Sequence, residues 1–228
     1  MMDEMITMKI SSLYRYFISI LFIVLTIILN SVTYARPVSY EDGWTAMMMS
    51  DEMSTSVHIH YSPTAFYSIG YRYEDFETDS FYMNAFQLNN LLYRRNTSDS
   101  QANLYLRSGL GIAKCYHNTC NPSSQLSYFT GIASDWETQR LFVSYNNRFL
   151  DAPHISHFFD HSARLGIAPY IGDYGDLHTW LMVQVDYTPN TDNIWTVTPL
   201  IRLFKETNLL ELGINNRDHL LLNYVKRF

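Results

Sequence analysis

Three groups of residues in this chain could do chemistry. His58 and His60 sit two apart in "SVHIHYS". On a strand that spacing puts both imidazoles on one face, where a ring-nitrogen pair can chelate copper or zinc. The plainer use of the same pair is a polar lining. Ser56 and Ser62 flank it, so parts of a serine–histidine hydrolase are present, but no nucleophile motif surrounds either serine and no carboxylate is placed beside them by sequence. No enzyme and no cofactor is expected. A second histidine-rich stretch, "HISHFFDH", carries His154, His157 and His161 with Asp160 and reads as a solvated loop.

Cys115 and Cys120 close the short stretch "CYHNTC". In an oxidising compartment, two nearby cysteines read most simply as one local disulfide. A metal reading through Cys115, His117 and Cys120 supplies fewer ligands than a structural zinc site takes. The compartment follows from the other end of the chain. Lys9 and Arg15 precede an apolar run over 17–29, and Thr33 and Ala35 make a small-residue site before Arg36-Pro37. That is the layout of a secretory signal peptide, cleaved after Ala35. The run is too short for a spanning helix, which takes ~20 residues. Met8, beyond Asp3 and Glu4, offers a second start. The expected organisation is a leader over 1–35 and one domain over 36–228.

Composition limits what that domain can be. A net charge of -6 and the lack of a basic stripe point away from a nucleic-acid partner. Tyrosine dominates the aromatics, with 18 copies. After the leader no apolar run reaches transmembrane-helix length, so entry into a membrane requires a barrel.

Period two governs the rest. In "ANLYLRSGLGIAK", Leu104, Leu106, Leu110 and Ile112 share one face, and Asn103, Tyr105, Arg107, Gly109, Gly111 and Ala113 share the other. Strict alternation marks a strand between two unlike environments. It recurs in segments that predict about twelve strands, over 43–50, 55–62, 66–74, 81–94, 102–114, 125–134, 138–149, 162–172, 177–188, 194–205, 209–216 and 219–228. Most approach the ~9–11 residues of a tilted membrane strand. The longest connections, 115–124 and 150–161, both follow odd-numbered strands, which puts them at one end of a barrel. Pro169 and Pro199 sit awkwardly, since each lacks a ladder donor.

The chain finishes on "HLLLNYVKRF". Leu220, Leu222, Tyr224 and Phe228 alternate along it, and the pattern resembles the assembly signal of bacterial outer-membrane β-barrels. Lys226 departs from that pattern. "YSPTAFYSIGYRYE" and "DSQANLYLRSGLG" also look like uncharacterised outer-membrane proteins of proteobacteria. The resemblance implies an antiparallel transmembrane β-barrel in the outer membrane, with membrane lipid and the assembly machinery as partners. It implies no activity.

Alternation also assigns an interior. Arg72, Arg107, Arg140, Arg148, Arg164 and Arg202 fall on the inward face with Glu74, Asp186 and Glu211. Turned to lipid, an arginine would cost ~2–4 kcal/mol at the midplane. Two uses of this lining stay open: a passage preferring small anions, or a filled scaffold in which the charges pair. A metal-binding barrel, a lipid-modifying barrel enzyme and a soluble secreted β-barrel or sandwich are the alternatives.

Overall fold

The computed structural model describes residues 40–77, 79–116, 123–173, 175–189 and 194–228. The expected leader, His117 and Cys120 lie outside the described residues. The strands are β1 (Gly43–Ser50), β2 (Thr55–Thr64), β3 (Tyr67–Phe76), β4 (Phe81–Asn96), β5 (Ser100–Cys115), β6 (Ser124–Thr138), β7 (Leu141–Ala152), β8 (Ser156–Ile167), β9 (His178–Tyr187), β10 (Trp195–Lys205), β11 (Asn208–Ile214) and β12 (Leu220–Arg227). Each pairs antiparallel with its sequence neighbours, and β1 pairs with β12, so the sheet closes into a twelve-stranded barrel. The closing seam runs from Thr45↔Arg227 to Ser50↔Leu222. Trp44 N then donates to Phe228 O at 3.1 Å and Phe228 N to Trp44 O at 3.0 Å. Closure leaves no edge strand, which an open sheet would have to protect.

The period-two pattern becomes two surfaces. Val57, Ile59, Leu110, Ile112, Leu165 and Val183 point outward and stay exposed, while Ser56, His58, His60, Tyr105 and Gln184 point inward and are buried. No helix among the described residues is long and apolar enough to cross a membrane. Outward aromatics gather near the strand ends. At the end away from the barrel's first and last residues, Tyr73, Tyr82 and Tyr116 follow one another at 5.9 and 5.5 Å between ring centroids, and Tyr187 meets Trp195 at 4.6 Å. At the other end Trp44 meets Tyr61 at 5.1 Å, and Phe66, Trp136 and Phe228 are exposed at that same end.

The histidine-rich stretch is not a loop. β7 continues to Ala152 and β8 begins at Ser156, leaving a tight turn closed by Ile155 N donating to Ala152 O at 2.9 Å. His154 sits in that turn at φ 65°, while His157 and Asp160 belong to β8. The cause is packing: Leu150, Ala152 and Phe158 alternate inward into one apolar cluster, and that alternation carries the strands through the polar letters between them. The expected strand over 162–172 therefore moves to Ser156–Ile167, and Pro169 falls outside it. A long connection, 168–177, now lies at the end that carries the barrel's first and last residues, so connection length does not distinguish the two ends as expected. Pro199 remains within β10, opposite Val183 of β9.

Candidate functional site in the lumen

The inward face brings the predicted charges together around two glutamates. Glu74, on β3, is completely buried. Arg72, two residues earlier, donates to it through Nε at 2.8 Å and Nη2 at 2.7 Å. Arg148, on β7, reaches it through Nη1, 2.9 Å from each carboxylate oxygen. Those strands are not neighbours in the sheet, so this pair spans the lumen. Arg148 also donates from Nε to Asp160 Oδ1 of β8 at 3.3 Å, and its guanidinium lies 5.4 Å from the Phe158 ring. Arg72 stands 5.5 Å from the Phe129 ring. That ring fits only because residue 109 is glycine, where a Cβ would lie 2.2 Å from Phe129 Cε1.

Glu211, on β11, is the second node. Arg164 of β8 places Nη1 3.0 Å from both its oxygens, Arg202 of β10 donates from Nε at 2.7 Å, and Asn223 of β12 donates from Nδ2 at 2.7 Å. Gln184 links outward from the node, accepting from Arg164 Nε at 2.5 Å and donating to Asp186 at 2.8 Å. Charge-assisted, paired bonds of this kind are what a buried carboxylate needs. Removing one partner of such a pair costs ~3–5 kcal/mol, because it leaves charge buried alone.

Arg107 differs from these. Its Nη2 donates to Asn146 Oδ1 at 3.2 Å, its buried Nε has no hydrogen-bond partner, and it makes no ion pair among the described residues. Arg140 is not a lining residue. Thr138 Oγ1 accepts from Arg140 N at 3.1 Å and Leu141 N at 2.8 Å, so the chain turns at 139–140 before β7 begins, and Arg140 is exposed at the rim with Nη2 3.4 Å from Pro169 O.

His58 and His60 do share the inward face, with ring centroids 5.8 Å apart. Their nitrogens are engaged separately: His58 Nε2 lies 2.8 Å from Ser56 Oγ, and His60 Nδ1 lies 3.4 Å from Asn89 Nδ2. No third ligand joins them in a group that could hold a metal among the described residues. Ser62 is buried on the same face. Cys115 ends β5 in the apolar cluster. The expected assembly residues of β12 point outward: Leu220 and Phe228 are exposed, Leu222 and Tyr224 half-buried, and Lys226 Nζ lies 5.6 Å from the Phe228 ring.

Sequence reading missed several members. Asp160, expected in a loop, lies on β8. Asp135 of β6 accepts from Asn103 at 2.7 Å, and Arg94 follows an irregularity between Leu91 and Tyr93 that resets its face before donating to Asn103 at 2.8 Å. Glu52 and Ser54 lie in the turn after β1, where alternation does not apply.

No protein-family model matches the chain, and no curated protein matches it in sequence. Among solved structures, the KdgM porin is 9% identical, covering 82% of this chain and 98% of its own, with a TM-score of 0.48. The translocator domain of the autotransporter NalP from Neisseria meningitidis is 8% identical, covering 81% and 85%, with a TM-score of 0.39. The fold assignment rests instead on the chain's own pairing: a closed antiparallel barrel of twelve strands, each hydrogen-bonded to its neighbours.

Proposed function

We propose that this chain is an integral outer-membrane β-barrel whose lumen at rest is a filled, charge-braced scaffold rather than an open anion pore. The outward apolar band, bounded at both ends by aromatics, supports the membrane setting. The leader over 1–35 delivers the chain, and the outward face of β12, ending at Phe228, engages the assembly machinery. Cys115 and Cys120 close a local disulfide in the connection after β5. One observation carries the scaffold reading: fully buried Glu74 ties Arg72 to Arg148 across the lumen.

Cell fractionation with carbonate extraction, followed by planar-bilayer recording of the purified barrel, tests this. The expected result is membrane recovery, a heat-modifiable folded form, no thiol alkylated before reduction, and no steady conductance. Recovery in the soluble periplasm would sink the membrane reading, and a stable open current would sink the scaffold reading. Arg107 favours a second reading, a narrow passage for small anions, because it is a lumen cation without a carboxylate. A steady current whose reversal potential is anion-selective would establish that reading in place of the scaffold.

A further inference from the structure

The tip of the β1–β2 hairpin does not project from the barrel as a bare turn. Asp51 Oδ1 accepts from Met53 N at 2.8 Å and Ser54 N at 3.0 Å, and Asp51 N donates to Ser54 O at 3.0 Å, so the tip is internally fixed. It reaches three other regions. Met53 packs against the apolar cluster that includes Phe76, Phe81, Leu150 and Phe158, and accepts a contact from Thr188 Oγ1 at 3.5 Å on its sulfur. Phe76 ends β3, Phe81 begins β4 and Thr188 follows β9, so these contacts gather at the end where the tip lies. Ser54 Oγ donates to Glu74 Oε1 at 2.9 Å, joining the tip to the lumen brace. Glu52 receives Arg217 Nη2 at 2.6 Å, Arg217 Nε at 2.9 Å and Asn215 Nδ2 at 2.7 Å, all from the β11–β12 turn. Arg217 is fixed in turn by Trp195 O at 3.2 Å and by Thr196 Oγ1.

We propose that the turn 51–54 is a lid over this mouth of the lumen, with Met53 as its apolar plug and the Glu52–Arg217 pair as its latch. This rests on the reading of the lumen as braced around Glu74, and adds a way to open it. A turn serving only to connect two strands needs no anchor on the β11–β12 turn and no side chain in the apolar cluster. The latch is partly exposed, with Arg217 and Glu52 side chains at 24% and 19%, so it is weaker than the lumen braces and releases first.

The test is thiol labelling of the purified, detergent-held protein. Ser56, inward on β2 and 2% exposed, is replaced by cysteine as a reporter below the lid, and labelling of the protein without the reporter is subtracted. Arg217→Glu is expected to speed labelling by a hydrophilic maleimide ~10-fold, the scale of one charge-assisted contact. Exchanging the charges, Glu52→Arg with Arg217→Glu, is expected to restore the slow rate. A wild-type rate in a heat-modifiable Arg217→Glu protein, or a double exchange as fast as the single, would overturn the lid. Should Arg217→Glu fail to fold, Glu52→Gln gives the same two outcomes: faster labelling supports the latch and an unchanged rate refutes it. Fractionation of wild-type cells reports separately on the outer-membrane reading, and a steady wild-type current on the scaffold reading, since neither enters the labelling comparison.

Discussion

The two lumen glutamates have the same number of arginine partners and different reach. Glu211 collects Arg202 and Asn223 from β10 and β12, the two strands beside its own, and Arg164 from β8, three places round the sheet. It is mainly a staple between neighbours, with one longer arm. Glu74 takes one arginine from its own strand and one from β7, and also holds Ser54 of the lid. It is a strut between walls. The same ionic chemistry thus does two mechanical jobs, chosen by where the partners sit in the register.

Removing each glutamate separates those jobs. Glu74→Gln should lower the unfolding free energy of the folded form by about 3–5 kcal/mol, because Arg72 loses its buried counter-ion, Arg148 keeps only the longer pair with Asp160, and the cross-lumen tie is lost. Glu211→Gln should cost less, about 2–3 kcal/mol. Gln184 still accepts from Arg164, and Arg202 still lies 4.4 Å from the Phe142 ring. Urea titration of the heat-modifiable band measures both, and a larger loss at Glu211 would reverse the assignment of strut and staple.

A cation outside both nodes sharpens the contrast. Arg107→Met should shift stability by less than about 1 kcal/mol in the same titration, since no ion pair is lost and an unpartnered Nε is removed from a buried site. A loss on the scale of Glu74→Gln would mean that Arg107 is part of the strut.

The smallest effect concerns the latch and is read by pH. Burial pushes the Glu52 carboxyl up, but hydrogen bonds and charge from Arg217, with Asn215 and the His219 charge, hold it below its ordinary 4.5. A carboxyl depressed in the closed state stabilises that state above its ordinary value and loses this contribution as pH falls through the depressed one. Labelling of the Ser56→Cys reporter, corrected for thiolate fraction, should therefore stay slow at pH 7 and rise only below about pH 4.5. A rise between pH 7 and 5 would point to a group other than Glu52.

Much of the barrel was legible because alternation is local. The pattern over 102–114 carries the strand, its inward Arg107 and the outward leucines at once, and the structure extends it only at the ends. Reading failed where local letters and tertiary packing disagreed. "HISHFFDH" looks polar, yet Phe158 is drawn inward by a cluster contributed by six strands, and the strand follows it. Arg140 looked inward by parity, but Thr138 caps a turn that takes it off the ladder. The nodes themselves have no local signature. Arg148 stands 74 positions from Glu74, and Arg217 stands 165 from Glu52, so only closure of the sheet makes either pair.

The Trp44–Phe228 seam has a kinetic consequence. Eleven of the twelve ladders join strands adjacent in sequence, whereas the β1–β12 ladder joins the two ends of the barrel's chain. Its contact order is the highest in the molecule, and the entropy of bringing distant segments together must be spent before its hydrogen bonds form. The seam is then the slow step of assembly. Until it forms, β1 and β12 are both unpaired edges, and the apolar side chains of β12 stand beside an open ladder able to pair with another chain.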